Sequence, residues 1–319
     1  MLLDFTLNMT DILLTIAIPA YNRPEWFKRA LLSILRMPLA DQKFIEVVVS
    51  DDSTIADGKL IFEAYIQEWK GLYQYQSNSP SLGMAGNWNQ CIRMASGQSL
   101  LILHDDDYLE PSAGLKILDN LRQYSQYPVL LFGVNVVNGQ GGILKRQYFK
   151  KDQHLDRVEA LKQVLTNSSF VRFPGIVIQK VVFEKVGYFD ETIGGVADLH
   201  LWVRLFHEYG VMCSSSVTAN YTVHSEALTM GMFNQAVVDQ IIELFDWIEL
   251  QGWFLPSVLR QCEANYLHQF VLAGTFRFLR RFKFEEAKKV FCLFQYKVIQ
   301  ESTIFKWKIL RKIFSWFLN

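Results

Sequence analysis

Short unbroken apolar runs alternate with amphipathic stretches through the first part of the chain. ILLTIAI (12–18) ends at Pro19 and reads as a strand buried on both faces. Asn22-Arg23-Pro24-Glu25 then opens a helix with Pro24 in its first turn, and Trp26, Ala30, Leu31, Ile34 and Leu35 recur at helical spacing. FIEVVVS (44–50) is a second strand, rich in β-branched residues and ending at Asp51-Asp52-Ser53-Thr54. IFEAYIQEW (61–69) predicts a helix, LYQYQS (72–77) a strand, and MAGNWNQCIRMAS (84–96) a helix closed by Gly97. SLLIL (99–103) is the next buried strand.

PVLLFGVNVVN (128–138) is a further strand followed by a glycine-rich turn, and 154–166 reads as helix. Residues 171–191 run from an irregular segment into a short strand and helix. GGVADLHLWVRLFHEYG (194–210) is a loop opening onto an amphipathic helix that ends at Gly210. Beyond about residue 232 the pattern is helical throughout. Strands alternating with helices predict an α/β fold with a mixed, mainly parallel sheet flanked by helices, followed by a helical C-terminal region. The expected division is 1–228 and 229–319.

In such open sheets ligands bind at the carboxyl ends of the strands. Three of the predicted strands end in polar signatures: Pro19-Ala20-Tyr21-Asn22, Asp51-Asp52, and the Asp105-Asp106-Asp107 of LHDDDYLEP (103–111). Three adjacent carboxylates repel one another, so a chain that keeps them at a buried strand's end has a use for them or leaves them in a solvated turn. A use is at hand: Mg2+ and Mn2+ prefer carboxylate and phosphate oxygens, and either ion neutralises a departing diphosphate.

Composition narrows the field. Half of the 319 residues are hydrophobic, so the chain has ample material for a packed core. Net charge is zero but unevenly spread: residues 270–319 carry 11 Lys/Arg against 3 Asp/Glu, a local excess of +8 that leaves −8 for the rest. The four cysteines, Cys91, Cys213, Cys262 and Cys292, have neither disulfide-framework nor zinc spacing, which fits a reducing cytoplasm. Asp4 and Asp11 stand where a signal peptide would want a basic flank, and no apolar run reaches the roughly 18–20 residues of a spanning helix.

Four motifs in order, TIAIPAYNRPEWFKRALLSIL, EVVVSDDST, LGMAGNWNQCIRMASGQSLLILHDDDYLEP and VGYFDETIGGVADLHLWVRL, resemble the family 2 glycosyltransferases of the GT-A fold over roughly residues 12–225. The resemblance implies a Rossmann-like nucleotide-binding domain of bacterial polysaccharide or O-antigen type. It implies that Pro19, Tyr21, Asn22 and Arg23 line the nucleotide pocket. Asp52, with Asp51, matches the acid that accepts a hydrogen bond from the base, which suits uracil or thymine. Asn78, Asn87 and Trp88 fall in the segment flanking the nucleotide, where Trp88 fits helix core equally well.

LHDDDYLEP matches the family's form LDSDDYLEP, with His104 in place of the first aspartate. That assigns a metal to Asp106, helped by Asp107 and His224, and puts Asp105 near ribose or donor sugar; Mn2+ or Mg2+ is the implied cofactor. Asp198 falls on the second position of the family's Glu-Asp pair and becomes the general base of an inverting transfer, whereas Ala197 fills the first. A carboxylate in a helix's first turn is equally at home beside the helix dipole. The implied partners are a UDP- or dTDP-sugar and a saccharide acceptor, lipid-linked at the cytoplasmic leaflet. With His104 and Ala197 replacing acids, a degenerate nucleotide-binding scaffold and another nucleotide-processing enzyme stay open.

TIFKWKILRKIFSWFLN (303–319) carries Lys306, Lys308, Arg311 and Lys312 and no acid. At ~100° per residue Lys308, Arg311, Lys312 and Ser315 share an arc and the remainder is largely aromatic or aliphatic, the pattern of a helix lying in a membrane interface. An anionic membrane surface is the expected partner, giving a peripheral protein at the inner face of the cell membrane, while packing of the same apolar faces inside a helical subdomain or a dimer, with the cations solvated, stays open; no nucleic-acid motif accompanies these cations.

Overall fold

A computed structural model of the chain describes residues 12–224 and 231–318. The described residues group into two units. One holds the residues up to Arg157, Val171–Glu191 and Arg204–His224; the other holds Val158–Phe170, Thr192–Val203 and the residues after His224. The expected boundary at 228–229 lies outside the described residues.

The first unit is built on ten strands: β1 Leu14–Ala20, β2 Ile45–Asp51, β3 Leu72–Ser77, β4 Ser99–Ile102, β5 Tyr108–Leu109, β6 Val129–Asn138, β7 Ile143–Gln147, β8 Gln153–Leu155, β9 Ile176–Gln179 and β10 Val211–Val223. They form one sheet in the order β3-β2-β1-β4-β9-β6-β10-β5, with β7 on β6 and β8 on β10. β3, β2, β1 and β4 are mutually parallel, and β6 is parallel to β10; β9 runs antiparallel between the two groups. The sheet is therefore mixed and mainly parallel, as the apolar runs predict. β1, β2 and β4 are buried along their whole length, which is why they carry unbroken apolar runs, whereas the edge strand β3 alternates Tyr and Gln.

The helix Pro24–Leu35 starts with Pro24 at its first position and buries Phe27, Ala30, Leu31, Ile34 and Leu35 against the sheet. Helices Asp57–Tyr65, Gly83–Met94 and Ala113–Gln123 follow β2, β3 and β5. The region 154–166 divides, because Gln153–Leu155 pairs antiparallel with β10 before the helix Arg157–Thr166 begins. The helix Ala197–Tyr209 ends at Gly210, whose φ of 66° is left-handed and whose missing Cβ leaves room for the Leu155 carbonyl.

The second unit is helical, with Gln235–Gln251 and Pro256–Leu279 as its long members. Asn234 caps the former by accepting from the Val237 N–H, and Gly252 closes it in the left-handed conformation. Buried Asn265 accepts from Ser302 Oγ at 2.8 Å and from the Thr303 N–H at 2.9 Å, fixing the chain just before the last helix, Phe305–Leu318. On that helix the expected cationic arc is shorter than the wheel predicts. Arg311 turns inward and lays its guanidinium 4.6 Å over the Phe294 ring, leaving Lys308 and Lys312 exposed. No described helix is long and apolar enough to cross a membrane.

Candidate active site

Backbone pairing carries the ends of β1, β2 and β4 to one edge. The Asp52 N–H donates to the Ala20 carbonyl at 3.0 Å, Asn78 N–H to Asp51 at 2.8 Å, and Leu103 N–H to Ala17 at 2.8 Å. Asn22, in the left-handed region at φ 51°, ties the first two ends together: its N–H reaches Ser53 Oγ at 2.7 Å and its Oδ1 accepts from the Thr54 N–H at 2.9 Å. Pro19, Tyr21, Asn22, Arg23, Asp51, Asp52, Asn87, Asp105, Asp106, Asp107 and His224 all belong to this first unit. A shallow pocket there is lined by Tyr21, Asn22, Arg23, Ser53, Ile55 and Gly58.

Each aspartate has a different environment. Asp105 accepts from the Tyr21 N–H at 3.1 Å and lies 3.5 Å from Arg23, yet burial pushes its carboxyl up to about 7. Asp106 is the charged member. Burial works against ionisation, but the hydrogen bond with His224 Nε2 at 2.9 Å and the Arg23 guanidinium at 2.7 Å hold its carboxyl at about 2. Asp107 receives the Thr222 N–H at 2.7 Å on one oxygen and nothing on the other; burial and the neighbouring Asp106 charge raise it well above the carboxylate range.

His104 stands where a carboxylate was expected, and its surroundings explain the tolerance. Its ring stacks 5.5 Å from Trp88 and 4.2 Å from Phe173, and burial lowers it to about 4, so it is a neutral imidazole. Trp88 belongs to the same buried aromatic cluster, consistent with its reading as helix core.

The donor set fits a divalent cation. His104, Asp106 and Asp107 each offer a ligand atom within 4.8 Å of the others, and His104 Nε2 and one Asp107 oxygen are buried with no hydrogen-bond partner. His224, stacked 4.5 Å from Trp26, presents Nε2 to the same Asp106 oxygen that Arg23 binds. Carboxylates with one or two imidazoles suit Mn2+ and accommodate Mg2+.

The β2 acids are committed to the chain. Asp52 accepts from Ser81 Oγ, the Leu82 and Gly83 N–H groups and Asn78 Nδ2, at 2.6–3.2 Å, so all four of its lone-pair positions are engaged and the segment 78–83 is pinned. Asp51 accepts from the Ser53 N–H and the Tyr75 hydroxyl, and lies so close to Gly58 that a Cβ there would sit 2.6 Å from its Oδ2. Asn87 donates to the Ala20 carbonyl at 3.2 Å and accepts from Asn78, linking the end of β1 to the residue that follows β3.

Asp198 belongs to the second unit, in the first turn of Ala197–Tyr209. Its Oδ1 accepts from the Leu199 N–H at 2.7 Å, and burial lifts its carboxyl to about 6. Buried Ala197 precedes it, so the expected second carboxylate is absent there.

Two residues escape a reading of the sequence alone. Arg29 lies between the Trp26 and Tyr108 rings, 4.5 Å from each, and donates to the Asp106 carbonyl and to Thr222 Oγ1 at 2.8 Å, clamping the acidic turn from behind. The signal is its place three residues after Trp26, off the apolar stripe, where an arginine normally reads as solvated. Asn89 exchanges hydrogen bonds with the Phe189 backbone at 2.9 and 3.0 Å and reaches Glu191, anchoring the segment of VGYFDE.

Residues 15–187 match the model of the family described as Glycosyl transferase family 2, and the chain belongs to that family. Among its relatives is the GalNAc(5)-diNAcBac-PP-undecaprenol beta-1,3-glucosyltransferase of Campylobacter jejuni, 23% identical over 226 residues that span 70% of this chain and 69% of the relative. The poly(ribitol-phosphate) beta-glucosyltransferase of Bacillus spizizenii is 22% identical over 46% of this chain and 23% of its own length. In fold the chain is similar to S. aureus TarS residues 1–349 in complex with UDP-GlcNAc, with TM-score 0.62, 16% identity, and coverage of 88% of this chain and 79% of that one. It is also similar to a Pyrobaculum calidifontis mannosyltransferase in complex with GDP-Man and Mn2+, with TM-score 0.54, 15% identity and coverage of 94% and 86%. The chain is a glycosyltransferase with the GT-A sheet.

Proposed function

We propose that this glycosyltransferase is inverting and metal-dependent, and moves a sugar from a UDP- or dTDP-sugar to a saccharide acceptor of cell-surface polysaccharide synthesis. The observation that carries the reading is Asp106: an ionised carboxylate at a strand's carboxyl end, held jointly by Arg23 and His224. The acceptor is lipid-linked and met at the inner face of the cell membrane. The relative named for a PP-undecaprenol acceptor supports that class, and it and the relative named for poly(ribitol-phosphate) are both named beta-glucosyltransferases. TarS, bound to UDP-GlcNAc, supports a uracil donor.

Asp106, Asp107 and His224, with the nearby His104, would hold Mn2+ or Mg2+, which when bound supplies positive charge to the leaving diphosphate. Arg23, now paired with Asp105 and Asp106, would turn its guanidinium to the diphosphate of a bound donor. Tyr21, Asn22 and the Asp51–Asp52 edge shape the base pocket. Asp52 reaches a base N–H only if one of its four internal donors yields, so it works first as a strut. Asp105 faces ribose or donor sugar. Asp198 takes the acceptor hydroxyl's proton as that oxygen bonds to the anomeric carbon and the bond to the diphosphate breaks, leaving a nucleoside diphosphate.

Calorimetry of UDP, dTDP and GDP with and without Mn2+ tests the donor site. Metal-dependent binding of a pyrimidine nucleotide, lost in Asp106→Asn, is expected. Equal or better binding of GDP would overturn the base assignment, and binding indifferent to metal and to Asp106 would overturn the site.

A further inference from the structure

The last helix presents an unusual face. Over Phe305–Leu318 the arc made by Trp307, Leu310, Arg311, Phe314 and Leu318 turns inward: Phe314 stacks on Phe276 at 6.3 Å, and Leu318 is buried. The opposite arc carries Phe305, Ile309, Ile313, Trp316 and Phe317, all exposed, with Phe305 at 75% and Trp316 at 78%. On the helical wheel these five lie within about 120° of one another, with Lys308 and Lys312 along one border and Lys306 towards the other. All three lysines are exposed, and the helix contains no Asp or Glu. Amphipathicity is thus inverted: the outward face is the apolar one, edged by cations.

A second feature of the same unit repeats this chemistry. Where the long helix Pro256–Leu279 ends, Phe282 sits at a φ of 57°, in the left-handed region that a bulky side chain rarely enters, and is 82% exposed. Arg280, Arg281 and Lys283 surround it in sequence, and Phe276 and Phe284 are exposed nearby along the chain. That left-handed residue closes the helix, with the Phe282 N–H on the Leu279 carbonyl at 3.0 Å and the Lys283 N–H on the Phe278 carbonyl at 3.1 Å, and the turn leaves the Phe282 ring in water.

We propose that the outward face of Phe305–Leu318 docks on an anionic phospholipid bilayer, lying in the plane of the headgroups with Phe305, Ile309, Ile313, Trp316 and Phe317 below them. A helix of 14 residues is about 21 Å long, too short to span and ample to lie in the interface. Charge decides between occupants. A second copy of the chain would bring lysines against lysines along both borders of the stripe, whereas anionic headgroups meet Lys306, Lys308 and Lys312 with opposite sign. The proposal deepens the reading of a lipid-linked acceptor and rests on it for its purpose only; the surface itself is argued from this helix.

The test uses the full chain and two vesicle compositions, phosphatidylcholine alone and phosphatidylcholine with 30 mol % phosphatidylglycerol, read by co-sedimentation. Binding to the anionic vesicles is expected, weakened by salt. It should fall by on the order of a hundredfold when Lys306, Lys308 and Lys312 become Gln, and comparably in Trp316→Ser/Phe317→Ser. Because these side chains are exposed, both variants should keep the parent's thermal unfolding and UDP binding, which separates a docking defect from a folding defect. Absence of binding to anionic vesicles, or binding unchanged in both variants, overturns the proposal. So does a dimer that dissociates in Trp316→Ser/Phe317→Ser without vesicle binding by the parent. Sugar transfer to a soluble acceptor, measured in parallel, stands or falls on the donor site alone.

Discussion

Asp106 and Asp198 are the same side chain under opposite regimes. Asp106 lies in the turn after β4, bound by the Arg23 guanidinium and by His224 Nε2, and is held at about 2. Asp198 opens a helix with the Leu199 backbone N–H donating to it, and burial lifts it to about 6. A carboxylate that stays ionised can anchor a cation without first losing a proton; a group that must take a proton has to sit near the working pH. Under the proposed mechanism the difference would let two carboxylates divide the work of a transferase, and each half of that proposal can be broken separately.

The largest effect is expected from Asp198→Asn. Sugar transfer should fall by about 10²–10⁴-fold, as for loss of a general base, while calorimetric binding of UDP with Mn2+ stays within about twofold of the parent. Stability should move the other way. The folded carboxyl is raised above its ordinary value, so the fold favours the neutral form; that preference is fully present below the unfolded value and is lost as pH rises through about 6. Asn cannot ionise, so above pH 6 the variant should unfold at a higher temperature than the parent, by an amount equivalent to about 1–3 kcal/mol, and the gap should close below pH 4.

Asp106→Asn breaks the other half. Metal-dependent nucleotide binding should weaken by at least about a hundredfold, and the rise in unfolding temperature that Mn2+ gives the parent should vanish. Chelation of the parent should reproduce the variant's unfolding temperature. If Mn2+ still stabilised Asp106→Asn by as much as the parent, the cation would be held elsewhere.

A pH series sharpens the contrast without mutation. Transfer at saturating donor should be flat above about pH 6 and fall about tenfold per unit below it, as Asp198 takes up its proton. Metal-dependent UDP binding should follow a different curve: Asp106 stays ionised throughout that window, whereas Asp107, raised well above the carboxylate range by burial and by the Asp106 charge, must lose a proton to hold the metal. Coincident curves for transfer and binding would tie both to one group and dissolve the distinction drawn between the two carboxylates.

How legible was this in the sequence? The parallel half of the sheet was, because β1, β2 and β4 are buried on both faces and must be apolar without interruption. The strand-end acids were legible for the same reason: polar residues directly behind such runs have one place to go. β5 and β7 were not. Tyr108–Leu109 is a two-residue strand, and Ile143–Gln147 is exposed and mostly polar, so neither imprints a period. The commitment of Asp52 to four internal donors was also hidden, since those donors come from a turn some thirty residues later whose shape no local pattern records. Arg29 was missed because sandwiching between Trp26 and Tyr108 is a tertiary fact.

The smallest effect expected is the most diagnostic of how Asp106 is kept charged. At the proposed metal site Arg23 and a cation would compete for that carboxylate, since the guanidinium lies 2.7 Å from the same oxygen that His224 reaches. Removing Arg23 therefore has two consequences of opposite sign. In Arg23→Gln, Mn2+ alone should bind severalfold more tightly, because the metal no longer has to displace a buried ion pair before it reaches the carboxylate. UDP in the presence of saturating Mn2+ should bind severalfold more weakly, because the guanidinium that would move to the diphosphate is gone. A purely structural arginine would not divide the two: loss of fold would weaken both measurements together, and a silent substitution would change neither. The split, read by calorimetry on one variant, separates a cation that merely neutralises the acidic turn from one that hands its position to the metal when the donor arrives.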